Sequence, residues 1–247
     1  MRTAVIAGGT RGIGRALADR AAAGGWNVVA LGHADGDLTS VKATRDLIGR
    51  LPDRIDALVL SAGRFSPRRV VTADGLEQTF AIGVLAKHLL ASGLRPALER
   101  ADTPVILNLC GVGGIRAGRI HWDDLQLTSG YSLTAATMQG ARANDLLGVG
   151  FAGHNPDTII RYVLYNPLFV DSGMHRYFDQ PMRSIVGVAA RAFGATPAAA
   201  ALPLAGLLDR PPRAALTALR RGKPVPVPGD RADAARLYRV LDELSAL

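Results

Sequence analysis

The sequence predicts a doubly wound α/β fold, a parallel sheet with helices on both faces. Three observations carry this. Short, continuously apolar runs alternate with longer helical segments. The first run passes directly into a glycine-rich turn that opens a helix. The length of 247 residues, 48% apolar and 20% charged, suits one α/β domain spanning 1–247 and excludes a disordered chain.

The expected strands are Thr3–Ala7, Asn27–Leu31, Ala57–Leu60, Val105–Leu109 and Thr158–Leu164. Most of these runs are apolar almost throughout, as strands covered on both faces should be. Helices are expected at about Gly12–Ala23, Ser40–Leu51, Ala73–Leu90 and Thr134–Gly150. Residues 171–208 read as two or three short helices, a lid or substrate region. Arg210–Arg213 is a proline-rich break, and Asp230–Leu247 is a final helix with Ala234, Leu237, Leu241 and Leu244 on one face. The uncharged run Ala192–Leu208 holds Pro197 and Pro203, which argues against a membrane span.

The single cysteine, Cys110, excludes a disulfide framework and a cysteine-built zinc site, and fits a reducing compartment. No metal ligand set is expected. The strand beginning at Thr3 is too short for a signal-peptide core, so a cytoplasmic protein is expected. The net charge is +8, yet 26 of the 29 basic residues are arginines spread along the chain. With no basic helix and few aromatics, nucleic acid is not an expected partner, whereas a small anionic ligand is favoured. A small-molecule substrate and a homodimer are the partners considered.

The segment Gly8-Gly9-Thr10-Arg11-Gly12-Ile13-Gly14 follows the first strand. Gly8 permits a tight turn, Gly12 lets backbone approach a pyrophosphate, and Gly14 allows close helix–strand packing. The helix N-terminus then presents its free N–H groups to phosphate.

This spacing resembles the short-chain dehydrogenase/reductase family, whose domain is a Rossmann fold. Leu60-Ser61-Ala62-Gly63 looks like the family's Asn-Asn-Ala-Gly signature. Asn166-Pro167-Leu168-Phe169-Val170-Asp171-Ser172 looks like its nicotinamide-side loop. Asp74-Gly75-Leu76-Glu77, Gly118–Gln126 and Ala143-Asn144 resemble the retinol-dehydrogenase and WW-domain-oxidoreductase branch. The resemblance implies cofactor contacts from Gly8, Thr10, Arg11, Gly12, Ile13 and Gly14. It also implies His33, Asp37 and Leu38 near the adenine, then Ser61, Ala62 and Gly63, and Asn166, Pro167 and Ser172 towards the nicotinamide. NADP(H) is expected over NAD(H), because Arg11 can reach a 2′-phosphate; Asp35 and Asp37 weigh against this. The alternative is a vestigial loop.

Two departures from the family pattern stand out. Only four residues separate His33 from Leu38, so the fold should be shortened between its second and fourth strands. The family's catalytic Asn-Ser-Tyr-Lys set is also replaced. The resemblance aligns Gly83 with Asn, Gly111 with Ser, Thr137 with Tyr and Ala141 with Lys. Tyr131 with Ala135 is the alternative alignment, favoured less because of its distance from Pro167. Lys42, Lys87 and Lys223 are read as lying in other elements, so no lysine is expected at the site.

The expected substrate pocket comprises Cys110, Gly111, Gly113, Thr137, Tyr165 and His175. Cys110 is read chiefly as a small buried residue. Asn108 is read as holding a strand–loop junction, and His121, Asp123 and Asp124 as a structural loop. The leading expectation is a redox-neutral biosynthetic enzyme (cyclisation, isomerisation or elimination) acting on an apolar metabolite. The alternatives are a dinucleotide- or metabolite-binding pseudoenzyme, and an NADPH-dependent oxidoreductase with displaced residues such as Tyr131.

Overall fold

The computed structural model describes residues 1–112, 118–171, 173, 179–227 and 230–246. The apolar runs become strands β1 (Thr3–Ala7), β2 (Asn27–Leu31), β3 (Ala57–Leu60), β4 (Val105–Leu109) and β5 (Arg161–Asn166). Two further strands, β6 (Leu216–Arg220) and β7 (Lys223–Pro224), complete a seven-stranded sheet of order β2-β1-β3-β4-β5-β6-β7. All neighbours are parallel except β6 and β7. The β5 strand begins three residues later than expected and ends two later, at Asn166.

Helices cover both faces. On one, α2 (Val41–Ile48), α4 (Ala86–Gly93), α6 (Leu133–His154) and α9 (Arg231–Ser245) enclose a core that includes Leu58, Leu60, Phe80, Leu147 and Tyr162. On the other, α1 (Gly12–Ala23) packs against α8 (Pro197–Asp209). Leu17, Ala18 and Ala21 meet Ala201, Leu204 and Leu208 there. In the expected lid region, 171–208, one face of α8 thus packs into the core through Ala200, Ala201, Leu204 and Leu208. The same region carries α7 (Met182–Phe193), with Ile185 and Val188 exposed. Among the described residues, no helix is long and apolar enough to cross a membrane.

The shortening is present. Residues 32–40 form turns only, and β2 is the sheet edge. Side-chain oxygens organise the turn. Asp35 accepts from Gly32 N at 2.8 Å and Asp37 from Thr39 N at 2.9 Å. Ser40 and Asp74 then cap α2, accepting from Ala43 N and Val41 N.

The helix expected from Ala73 begins later. Glu77 accepts from Thr79 N and Phe80 N, both at 2.8 Å, and starts a short α3 (Gln78–Phe80). A π-helical turn at Ala81–Leu85 leads into α4, followed by α5 (Arg95–Leu98).

The α6–α9 contact is close because Gly150 has no side chain. A Cβ there would lie 2.2 Å from Tyr238 Cε2. The Tyr238 ring cannot yield easily. It stacks on His154 at 4.6 Å, meets His88 edge-on at 4.8 Å, and its hydroxyl donates to Leu147 O at 3.0 Å. We predict that Gly150→Ala lowers stability to urea by about 1–3 kcal/mol despite better helix propensity. Gly153→Ala, on the same helix with open space around it, should be neutral or stabilising.

Candidate functional site

A cleft of about 790 Å³ lies along the carboxyl ends of the parallel strands. The β1–α1 turn forms one end. Gly8 has φ +84°, and a Cβ there would stand 2.7 Å from Ala62 N. At Gly14 a Cβ would stand 2.2 Å from Gly8 O and 2.6 Å from Ser61 Oγ. The turn is therefore pressed against the segment after β3, and Ser61 Oγ donates to Ala7 O at 2.8 Å. Arg11 is extended at the N-cap and its side chain makes no cap bond, so the first turn of α1 opens onto the cleft. Thr10, Arg11, Gly12 and Ile13 line this end, with Ala62 and Gly63 opposite.

The adjoining wall carries His33, Asp37, Leu38 and Arg64. Burial pushes the Asp37 carboxyl up, but the Thr39 hydrogen bonds and the charges of His33 and Arg64 outweigh it, so its pKa falls. His33 Nδ1 is 4.0 Å from Asp37 Oδ1. Arg64 was not anticipated from the sequence; it directly follows the Ser61–Gly63 signature.

At the other end stand Cys110 and Gly111 after β4, Gly83 in the π-turn, Thr137 and Ala141 on α6, and Asn166 and Pro167 after β5. Thr137 and Ala141 are one helical turn apart and share the cleft face. Thr137 Oγ1 donates to Leu133 O at 2.7 Å. Tyr131 precedes α6 and is not part of the cleft wall; its hydroxyl donates to Ser66 O at 2.8 Å. Burial raises the pKa of that hydroxyl.

Tyr165 requires a correction. Its ring is fully buried on the α1–α8 side of the sheet with Val163 and Leu219, away from the cleft. Asn166, one residue on, faces the other way. Its Nδ2 donates to Val112 O at 2.9 Å, and its Oδ1 accepts from Leu168 N at 2.8 Å. Gly113, Ser172 and His175 lie outside the described residues. Asp124 caps the turn before α6 by accepting from Thr128 N, Thr128 Oγ1 and Ser129 N.

The expectation that no lysine reaches the site is overturned. Lys87 lies one turn after Gly83 and lines the cleft. Its Nζ donates to Asn108 Oδ1 (2.8 Å), Leu109 O (2.8 Å) and Asn144 Oδ1 (3.1 Å). The amides extend the network. Asn108 Nδ2 donates to Asn144 Oδ1 and Tyr162 Oη, while Asn144 Nδ2 donates to Gly83 O and Gly140 O. Burial lowers the ammonium's pKa to about 8, against the pull of the Cys110 thiolate form. Burial pushes the Cys110 thiol up to about 12, with Lys87 opposing, so the thiol is protonated at neutral pH.

Asp145, beside Asn144, is also buried, and its Oδ1 has no partner among the described residues. Burial raises its carboxyl to about 6, with Arg142 opposing. An unfolded aspartate titrates near 3.9. Between about pH 4 and pH 6 the folded chain therefore holds more protons, and stability falls as pH rises through that window. We predict that Asp145→Asn flattens this slope and stabilises the protein at pH 7 by about 2 kcal/mol, read from denaturation at several pH values.

No protein-family model matches the chain. It is 31% identical over 192 residues to DnrU of Streptomyces sp. (strain C5), provisionally named a daunorubicin C-13 ketoreductase, covering 67% of this chain and 65% of that protein. It is 27% identical over 140 residues to human dehydrogenase/reductase SDR family member 12, covering 53% of this chain and 43% of that protein. The chain thus spans less than two thirds of the length of either relative. The 3-alpha-hydroxysteroid dehydrogenase from Pseudomonas sp. B-0831, solved with NADH, shares the fold at TM-score 0.70 and 20% identity, over 89% of this chain and 96% of that one. The glycine cradle, the parallel sheet and these relatives agree that the chain belongs to the short-chain dehydrogenase/reductase family.

Proposed function

We propose that the cleft binds NADP(H) at its glycine end and directs a redox-neutral conversion of a small, apolar, polycyclic metabolite at the other. The dinucleotide half rests on Gly8 and Gly14, where any side chain would fill the space the backbone needs. Arg11 and Arg64 line the same region and suit a 2′-phosphate. A bound dinucleotide would supply a hydride donor or acceptor at its nicotinamide.

The observation that carries the redox-neutral half is the wall around Gly111, Thr137 and Ala141. By resemblance these occupy the family's Ser, Tyr and Lys positions. A threonine hydroxyl has no accessible acid pKa near neutrality, and that of Thr137 is engaged by Leu133 O. Small residues leave room for a bulky ligand held by shape. DnrU, provisionally named a daunorubicin C-13 ketoreductase, supports a small-molecule substrate and is equally consistent with the reductase alternative.

Calorimetry should give tighter binding of NADPH than of NADH. Purified protein should then oxidise NADPH with ketones and aldehydes at a rate lower by about 10²–10⁴ than an enzyme with a positioned acid. Thr137→Tyr with Ala141→Lys and Gly111→Ser should raise that rate. Gly111→Phe should block ligand binding by filling the pocket. NADPH turnover by the native chain, abolished by Tyr131→Phe, would overturn this reading in favour of a displaced reductase.

A further inference from the structure

We propose that Lys87 is the electrostatic floor of the cleft, and that the ligand taken there carries a hydroxyl or enol oxygen that becomes anionic against it. This rests on the reading of the cleft as a small-molecule site and adds the chemistry of the ligand.

The Lys87 side chain borders the cavity between Gly83 and Cys110. All three of its hydrogen-bond partners are neutral oxygens, so its charge is solvated by dipoles and not cancelled by a carboxylate. Among the described residues, Cys110, protonated at neutral pH, is the ionisable group that acts on it directly, and the buried carboxyl of Asp145 acts in turn on Cys110. A buried cation without a counter-ion is expensive, and a neutral donor would tie the same oxygens together at lower cost. An uncancelled positive charge in a water-poor wall favours negative charge forming in front of it.

Among the described residues, the wall around Lys87 supplies no competing charge. Gly83, Gly111, Gly140 and Ala141 are small, and Thr137 is neutral. An enol or phenol placed there would lose its proton to bulk water and keep the electron pair on oxygen. No oxidant or reductant is needed. Isomerisation, cyclisation and elimination next to a carbonyl each have a route through such an enolate-type anion.

The test uses 1,2-dihydroxyanthraquinone, a polycyclic phenol whose absorption moves to longer wavelength on ionisation. It is titrated while bound to the native protein and to Lys87→Met. The expected result is that the bound dye ionises more readily than free dye by about tenfold or more in ionisation constant, and that Lys87→Met abolishes the difference. Lys87→Gln, which keeps a donor but no charge, serves if Lys87→Met does not fold, with the same loss expected. Equal ionisation in native and uncharged variants would overturn the proposal, leaving Lys87 as a cross-brace while the small-molecule reading stands. Failure of the native protein to bind the dye would overturn both.

Discussion

The working end of the cleft depends on one buried amide. Asn144 of α6 accepts from Lys87 and Asn108 and donates to Gly83 O and Gly140 O. It thereby joins a π-turn, the end of a central strand and a long helix at one point. The π-turn opens the backbone at Gly83, so that a carbonyl is available to a neighbouring side chain. Each of these polar groups is buried, and leaving one unpaired would cost roughly 1–3 kcal/mol. The network therefore fixes where Thr137 and Ala141 stand relative to Cys110 and Gly111.

The glycine end obeys a different constraint, that of steric room. Gly8 and Gly14 let the β1–α1 turn lie against the backbone after β3, closer than any side chain permits. The wall next to it is built from turns and from Asp37, whose carboxylate is held by Thr39. With β2 as the sheet edge, this region has no outer strand to close it. A rigid cradle thus meets an open flank, and arginines supply the positive charge there.

Much of this was legible in the sequence, and the failures have physical causes. Strands buried on both faces are apolar without interruption, so β1, β3 and β4 stood out with correct limits. The β6 strand is partly exposed and mixes Thr217 and Arg220 into its run, and the two-residue β7 contains a proline, so neither showed that signature. Tyr165 was misplaced because it ends a strand at the carboxyl edge of the sheet, where ligands bind in such folds, and its face was not weighed. Strand alternation puts Tyr165 and Asn166 on opposite faces, and the period of two was the signal to use. Lys87 was assigned by element rather than by face. Its spacing of four from Gly83 places both on one side of a helix, which a helical projection reveals. The start of α3 depended on Glu77 as a cap, a local bond that hydrophobic periodicity does not register.

The central claim is that a dinucleotide cradle is joined to a wall unable to pair hydride transfer with proton transfer. NADPH deuterated at its transferable position, incubated with the protein and polycyclic aromatic ketones, tests this most directly. The account predicts that the dinucleotide binds and retains its deuterium while the ketones remain unreduced. Deuterium appearing in an alcohol product, at a rate dependent on the protein, would contradict it.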